Sequence, residues 1–271
     1  YNYNTYRKLI AFANNNIWDA SSAAVATSLA SGFSNNRWQW VNFNGYLIMV
    51  NAADTPQTYD GTTVAASTIS GPTVTSLTGI HVHKNRVYTW ETSDSSFWYG
   101  ATNAIGGAFT EFPLTRISRK GGNLVAMGTI THDAGSGPDD FAVFLMSSGE
   151  AIVYQGSDPG SANDWSLVGI YDIGAPLSSR GSCKVGGDLM IITREDYVSL
   201  AQIIGKRELS KKSKTVGALR TAVASYASNF GWQATLYPAG GMAIFNIPQS
   251  SSEFVQHVLN TTTGSWCSLP E

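Results

Sequence analysis

The sequence predicts an all-β protein, a β-propeller of about six four-stranded blades with a short helical insert. Three observations carry that prediction. The chain is sparsely charged and rich in aromatic and turn residues: of 271 residues 43% are hydrophobic and 13% charged, with 27 Gly, 12 Tyr and 8 Trp. A charged share about half the usual one suits short strands joined by turns. A hairpin pattern recurs at spacings of about 40 to 55 residues, the period of propeller blades. Its strands are apolar on both faces, so each copy needs neighbours above and below it.

The clearest copy runs from Phe141 to Gly156. Phe141, Val143 and Leu145 alternate with Ala142, Phe144 and Met146, and Ile152, Val153 and Tyr154 answer after Ser147-Ser148-Gly149-Glu150. Two apolar runs around a four-residue loop with Gly read as a hairpin buried on both sides. From the N-terminus, the other copies are Leu9–Phe12 with Ile17–Ala20 across Asn14-Asn15-Asn16, Leu47–Val50 with Thr58–Gly61, and Val87–Trp90 with Phe97–Gly100. After the central copy come Leu189–Ile192 with Tyr197–Leu200, and Ala243–Asn246 with His257–Asn260 across a longer loop.

A strand precedes several of these hairpins: Trp38–Phe43 before Asn44-Gly45, Ile80–His83 before Lys84-Asn85, Ser182–Val185 before Gly186-Gly187. Asn-Gly and Gly-Gly favour tight hairpin turns because both residues tolerate positive φ. An outer strand follows where an aromatic precedes an apolar residue by three, as in Phe109 with Phe112, Trp165 with Val168 and Trp266 with Leu269. Between Gly205 and Phe230 the β pattern stops. Leu219, Val223 and Tyr226 lie at helical spacing in an Ala-rich run, which predicts a helix over Val216–Ser228 after a loop. The organisation expected is a single propeller domain over 1–271, with the helical, basic insert at about 205–230. Because the chain begins at Tyr1 rather than Met, it is read as a domain, a processed product or part of something longer.

The formal charge of −2 supplies no global polybasic field to recruit nucleic acid or membrane, so any such contact must be local. Cys183 and Cys267 are the only cysteines, too few for a disulfide framework or a four-cysteine zinc site, and two reduced, buried thiols are expected. No apolar run approaches the ~18 to 20 residues that span a bilayer, so no membrane anchor is expected.

The marked charge feature is basic. Lys206, Arg207, Lys211, Lys212, Lys214 and Arg220 stand against the single acid Glu208. Such a patch can hold phosphates, multiplied if several subunits form a ring; it can equally be a solvated insert or a subunit contact. His81 and His83 share a face of one strand, compatible with metal ligation, but no third ligand lies near them in sequence. His132-Asp133 falls in a Gly-rich loop a blade away, and Asp139-Asp140 reads as a loop pair capping the strand at Phe141. Ser157-Asp158-Pro159-Gly160 before Trp165 approaches the repeated turn of sialidase-type propellers, without the spacing and only once. Trp98 and Trp232 could stack on sugars, though blade packing is the ordinary use of such residues. There is no Gly-x-Ser-x-Gly elbow, phosphate loop or His-Glu-x-x-His motif. No catalytic residue, metal or cofactor is assigned.

Several segments carry a family resemblance in order along the chain. They are His83-Lys84-Asn85-Arg86-Val87-Tyr88, Ile105–Leu114, Tyr154-Gln155-Gly156-Ser157-Asp158-Pro159 and Gly186-Gly187-Asp188-Leu189. They continue with Asn229–Gln233, Leu236-Tyr237-Pro238 and Asn260–Cys267. From about Ile80 to Leu269 the chain resembles phage structural proteins of the short-tail nozzle or tail-hub type, related in role to packaged-DNA stabilisation proteins; Tyr1–Thr78 matches in blade pattern alone. Relatives carry a further segment beyond the Trp-Cys stretch, whereas this sequence stops at Glu271.

The resemblance implies a virion protein, made in the host cytoplasm. It implies a β-propeller subunit in a homohexameric ring below the portal and adaptor, continuing the channel for packaged double-stranded DNA and offering an outer surface to tail fibres or spikes. Two alternatives are a propeller that binds or cleaves carbohydrate at the host surface, which requires a pocket lined by carboxylates and aromatics, and a cellular interaction propeller, which the lack of regular Trp-Asp or kelch signatures disfavours.

Overall fold

The computed structural model describes residues 1–3, 6–133, 138–206 and 216–269, which divide into two compact units, Tyr1–Arg116 and Ile117–Glu271. In the first unit a ribbon of β1 (Asn2–Tyr3) and β2 (Tyr6–Arg7) precedes a three-stranded sheet of β3 (Ile10–Ala13), β4 (Asn16–Asp19) and β5 (Thr27–Ser31). Two four-stranded sheets follow: β6 (Gln39–Phe43), β7 (Tyr46–Val50), β8 (Gln57–Tyr59) and β9 (Val64–Ala66), then β10 (Leu77–His83), β11 (Arg86–Glu91), β12 (Ser96–Tyr99) and β13 (Thr110–Pro113).

The second unit opens with four strands, β14 (Leu124–Asp133), β15 (Pro138–Met146), β16 (Glu150–Gln155) and β17 (Ser166–Asp172). Next come three, β18 (Ser182–Val185), β19 (Asp188–Ile192) and β20 (Tyr197–Ser199), followed by helices α1 (Leu200–Lys206) and α2 (Val216–Tyr226). The last sheet is β21 (Gln233–Tyr237), β22 (Met242–Pro248), β23 (Phe254–Asn260) and β24 (Trp266–Leu269). Within each of these sheets every strand pairs antiparallel with its neighbour in sequence, the up-and-down meander of a propeller blade.

Alternation explains how each unit stacks its sheets. Leu47 and Met49 of β7 enter one core with Ile17 and Trp38, while Ile48 and Val50 enter another with Leu77, Ile80 and Val87. Leu189 and Ile191 of β19 likewise join Phe141, Val143 and Leu145 of β15, while Met190 and Ile192 join Ala243 and Phe245 of β22. Side chains one apart on a strand point to opposite faces, so one apolar run serves two cores. Every residue from Phe141 to Met146 is at most 1% exposed, and full burial of a large apolar side chain contributes roughly 1.5–3 kcal/mol.

The turns that set register are legible residue by residue. Asn14-Asn15, Asn44-Gly45 and Lys84-Asn85 all have positive φ at both positions, the type I′ geometry that matches strand twist. Between β15 and β16 the loop is Ser147–Gly149, one residue shorter than the sequence reading. The Gly149 N–H donates to the Met146 carbonyl (3.0 Å) at φ +90°, which releases Glu150 to begin β16 as a buried residue.

Other sequence readings shift. Leu9–Phe12 is matched by a first strand, β3, rather than by an inner strand, so the N-terminal copy is displaced by one strand. Asp139 and Asp140 lie inside β15 rather than in a loop, because that strand pairs with β14 as far as Pro138. Leu200 opens a helix rather than ending a strand. The Ser199 hydroxyl accepts the Gln202 N–H (3.2 Å) and Asp188 accepts the Ala201 N–H (2.8 Å), capping α1 where a fourth strand would begin. Helix α2 falls within the expected span, with Leu219 buried and Val223 and Tyr226 packed on the same core.

Both cysteines are free, but only Cys183 is partly buried; Cys267 is exposed on β24, an outer strand. Burial, aided by the charge of Asp188, pushes the Cys183 thiol up to about 11. The thiolate is the reacting form, so at pH 8 a maleimide is expected to label Cys267 about 100-fold faster than Cys183. Peptide mapping over time would read this, and equal rates would contradict it.

Candidate functional site

Glu150 is 2% exposed, yet it stands at the start of a strand in the apolar heart of the second unit. Its carboxylate accepts the Ser118 hydroxyl and the N–H groups of Arg119 (3.1 Å) and Lys120 (3.2 Å). A buried carboxylate needs such donors. The result is a surface turn, residues 118–120, pinned from beneath. The pinned turn faces an open cleft of about 610 Å³ lined by Arg119, Val168, Gly169, Ile170, Tyr171, Asp172 and Ile203.

One wall of the cleft is β17. Five consecutive residues of one strand line it, and successive strand residues face opposite ways, so the cleft follows the strand's edge rather than one face. Strand β17 pairs with β16 on one side and with no other strand among the described residues. Ile203 supplies the other wall from α1, the helix that replaces an outer strand of the next sheet. Asp172 is ion-paired with Lys120, whereas the exposed Arg119 guanidinium has no ion pair among the described residues. The cleft therefore carries one uncompensated positive charge.

Arg207, Lys211, Lys212 and Lys214 are outside the described residues, and of Lys206 only the backbone, closing α1, is described. Arg220 stands exposed on α2, where its Nε donates to the Glu195 carbonyl (3.3 Å).

His81 and His83 sit on β10, with His83 buried. No group of three metal-ligating side chains occurs among the described residues. The backbone of His132 and Asp133 closes β14 rather than lying in a loop; their side chains are outside the described ones. Asp140 accepts the Thr131 hydroxyl and pairs with Lys184 (3.3 Å), a cross-strand link. Trp232 is 1% exposed, its Nε1 donating to the Tyr226 carbonyl (3.0 Å). Trp98 is partly buried against the core of the second and third sheets. Buried His257 shares a 2.7 Å hydrogen bond with the Tyr197 hydroxyl, and burial lowers the histidine pKa and raises that of the tyrosine, which keeps both neutral.

The sequence reading did not single out Arg119, Lys120 or Glu150. The available signals were three basic residues in Arg116–Lys120 and a lone acid between apolar runs. For α1 the signal was Ser199-x-x-Gln202, the pattern of a capping box.

No protein-family model and no curated protein matches the chain. Among solved structures it is similar to PorZ, an essential surface component of the type-IX secretion system of Porphyromonas gingivalis, at 12% identity and a TM-score of 0.54, covering 99% of this chain and 32% of that one. It is also similar to the computationally designed Ika8 protein (10% identity, TM-score 0.51, 97% and 73% covered). A third is a proposed 6-phosphogluconolactonase of Bacteroides fragilis (9%, 0.51, 98% and 82%). The chain thus spans about a third of PorZ. Likeness at such identities concerns the fold alone, and the fold is a β-propeller.

Proposed function

We propose that the chain is a non-enzymatic structural protein of a phage virion, a propeller subunit of the short-tail nozzle or hub. In this reading six copies form a ring below the portal and adaptor, the ring continues the channel for packaged DNA, and its outer surface receives fibres or spikes. The resemblance from Ile80 to Leu269 carries the reading. Its segments coincide with the frame: the β10–β11 hairpin, the entry to β13, the exit of β16, the β18–β19 turn and the approach to β24. Two acids fit the same reading, since buried Glu150 holds a turn and partly buried Asp188 a helix start.

In this role the basic run from Lys206 to Arg220 meets DNA or a neighbouring subunit. Imaging of assembled particles tests the placement, with density for this chain expected on the tail axis; a chain absent from the tail would sink the proposal. With Lys211, Lys212 and Lys214 all changed to Glu, genome leakage from filled heads is expected to rise about tenfold while rings still assemble, because phosphate contacts become repulsions. Unchanged retention would assign the run to a subunit contact instead.

A further inference from the structure

We propose that the cleft beside β17 is a docking slot for an extended, acidic segment of another protein, which adds as a fifth strand to the β14–β17 sheet. Three features of the slot define its occupant. Its wall is the open edge of a strand, whose outward N–H and C=O groups form a ready template for one more strand. Val168 is the extra residue of a bulge against β16, so the regular edge is Gly169–Asp172, which at about 3.3 Å per residue accepts a segment of about four residues. Val168, Ile170 and Ile203 give the slot's lining an aliphatic share, which suits apolar side chains on the incoming strand.

The third feature is charge. Lys120 and Asp172 neutralise each other, and Arg119 is left over. An Asp or Glu on the incoming strand supplies the missing carboxylate in a charge-assisted, bidentate pair. The burial of Glu150 also gains a purpose. It fixes the Arg119 backbone through two N–H bonds and a hydroxyl, so that the guanidinium projects from a rigid turn rather than a mobile loop.

A fluorescein-labelled peptide of alternating valine and glutamate is the probe, titrated by anisotropy against the whole chain. Saturable binding is expected, about tenfold weaker for the valine–lysine counterpart and lost when alternate amides of the glutamate peptide are N-methylated. Arg119→Glu keeps its backbone N–H and is expected to reverse the preference toward the lysine peptide, with circular dichroism showing the fold retained. Absence of binding, equal binding of both peptides, or an unchanged preference in the variant would overturn the proposal. So would a wild-type self-association, seen by sedimentation, that Arg119→Glu abolishes, since the slot would then belong to a second copy of this chain.

Discussion

Replacing Glu150 by alanine is expected to lower the unfolding free energy by about 3 kcal/mol, a large share of a typical domain's stability. The carboxylate accepts three donors, the Ser118 hydroxyl and the N–H groups of Arg119 and Lys120. Hydrogen bonds to a charged acceptor are each worth roughly 1.5–3 kcal/mol, and a truncation that strands buried donors costs more than the bonds gain in net terms. The full sum is not expected, because residues 118–120 are close enough to the surface for water to reach part of what alanine vacates. Glu150→Gln retains shape and one acceptor and should cost about half as much. Urea unfolding reads both. A change under about 0.5 kcal/mol for the alanine variant would mean that the turn is held by something other than Glu150.

The frame was legible because its signals are local. Alternation in Leu47–Val50 and Leu189–Ile192, together with Asn-Gly and Lys-Asn turns, states strand, faces and turn within a few residues, and tertiary packing has only to agree. The N-terminal copy was misplaced because Leu9–Phe12 and Ile17–Ala20 have the same apolar pattern, so periodicity alone does not say which is the inner strand. Helix α1 was missed for a related reason. Tyr197–Ile204 is a nearly unbroken apolar run, compatible with strand or helix, and the decision rests on the Ser199 and Asp188 caps, the second of which comes from β19. The slot was least legible. Arg119, the β17 edge and Ile203 are more than 80 residues apart end to end and meet only in the fold, and an open strand edge has no sequence signature.

Gly156→Ala is expected to be worse than any change at a turn with room, costing about 3–5 kcal/mol, against about 1 kcal/mol for Gly264→Ala. Both glycines have positive φ, +121° and +72°, so both substitutions strain the backbone. The surroundings separate them. At Gly264 a Cβ would meet nothing within 4 Å, whereas at Gly156 it would lie 2.1 Å from the Asp164 carbonyl oxygen and 3.1 Å from the Trp165 Cα. That neighbour is backbone and cannot swing aside. It is also fastened, since the Asp164 carboxylate accepts the N–H groups of Ser157 and Asp158, each at 2.7 Å, and the Trp165 ring stacks on Tyr154 with centroids 5.0 Å apart. Relief of the clash must break either the carboxylate staple or the ring stack, and each joins the exit of β16 to the entry of β17. Thermal unfolding of the two variants side by side decides it: equal losses would show that φ alone sets the cost, while a much larger loss at Gly156 would show that the close approach of two backbones is what keeps a glycine there.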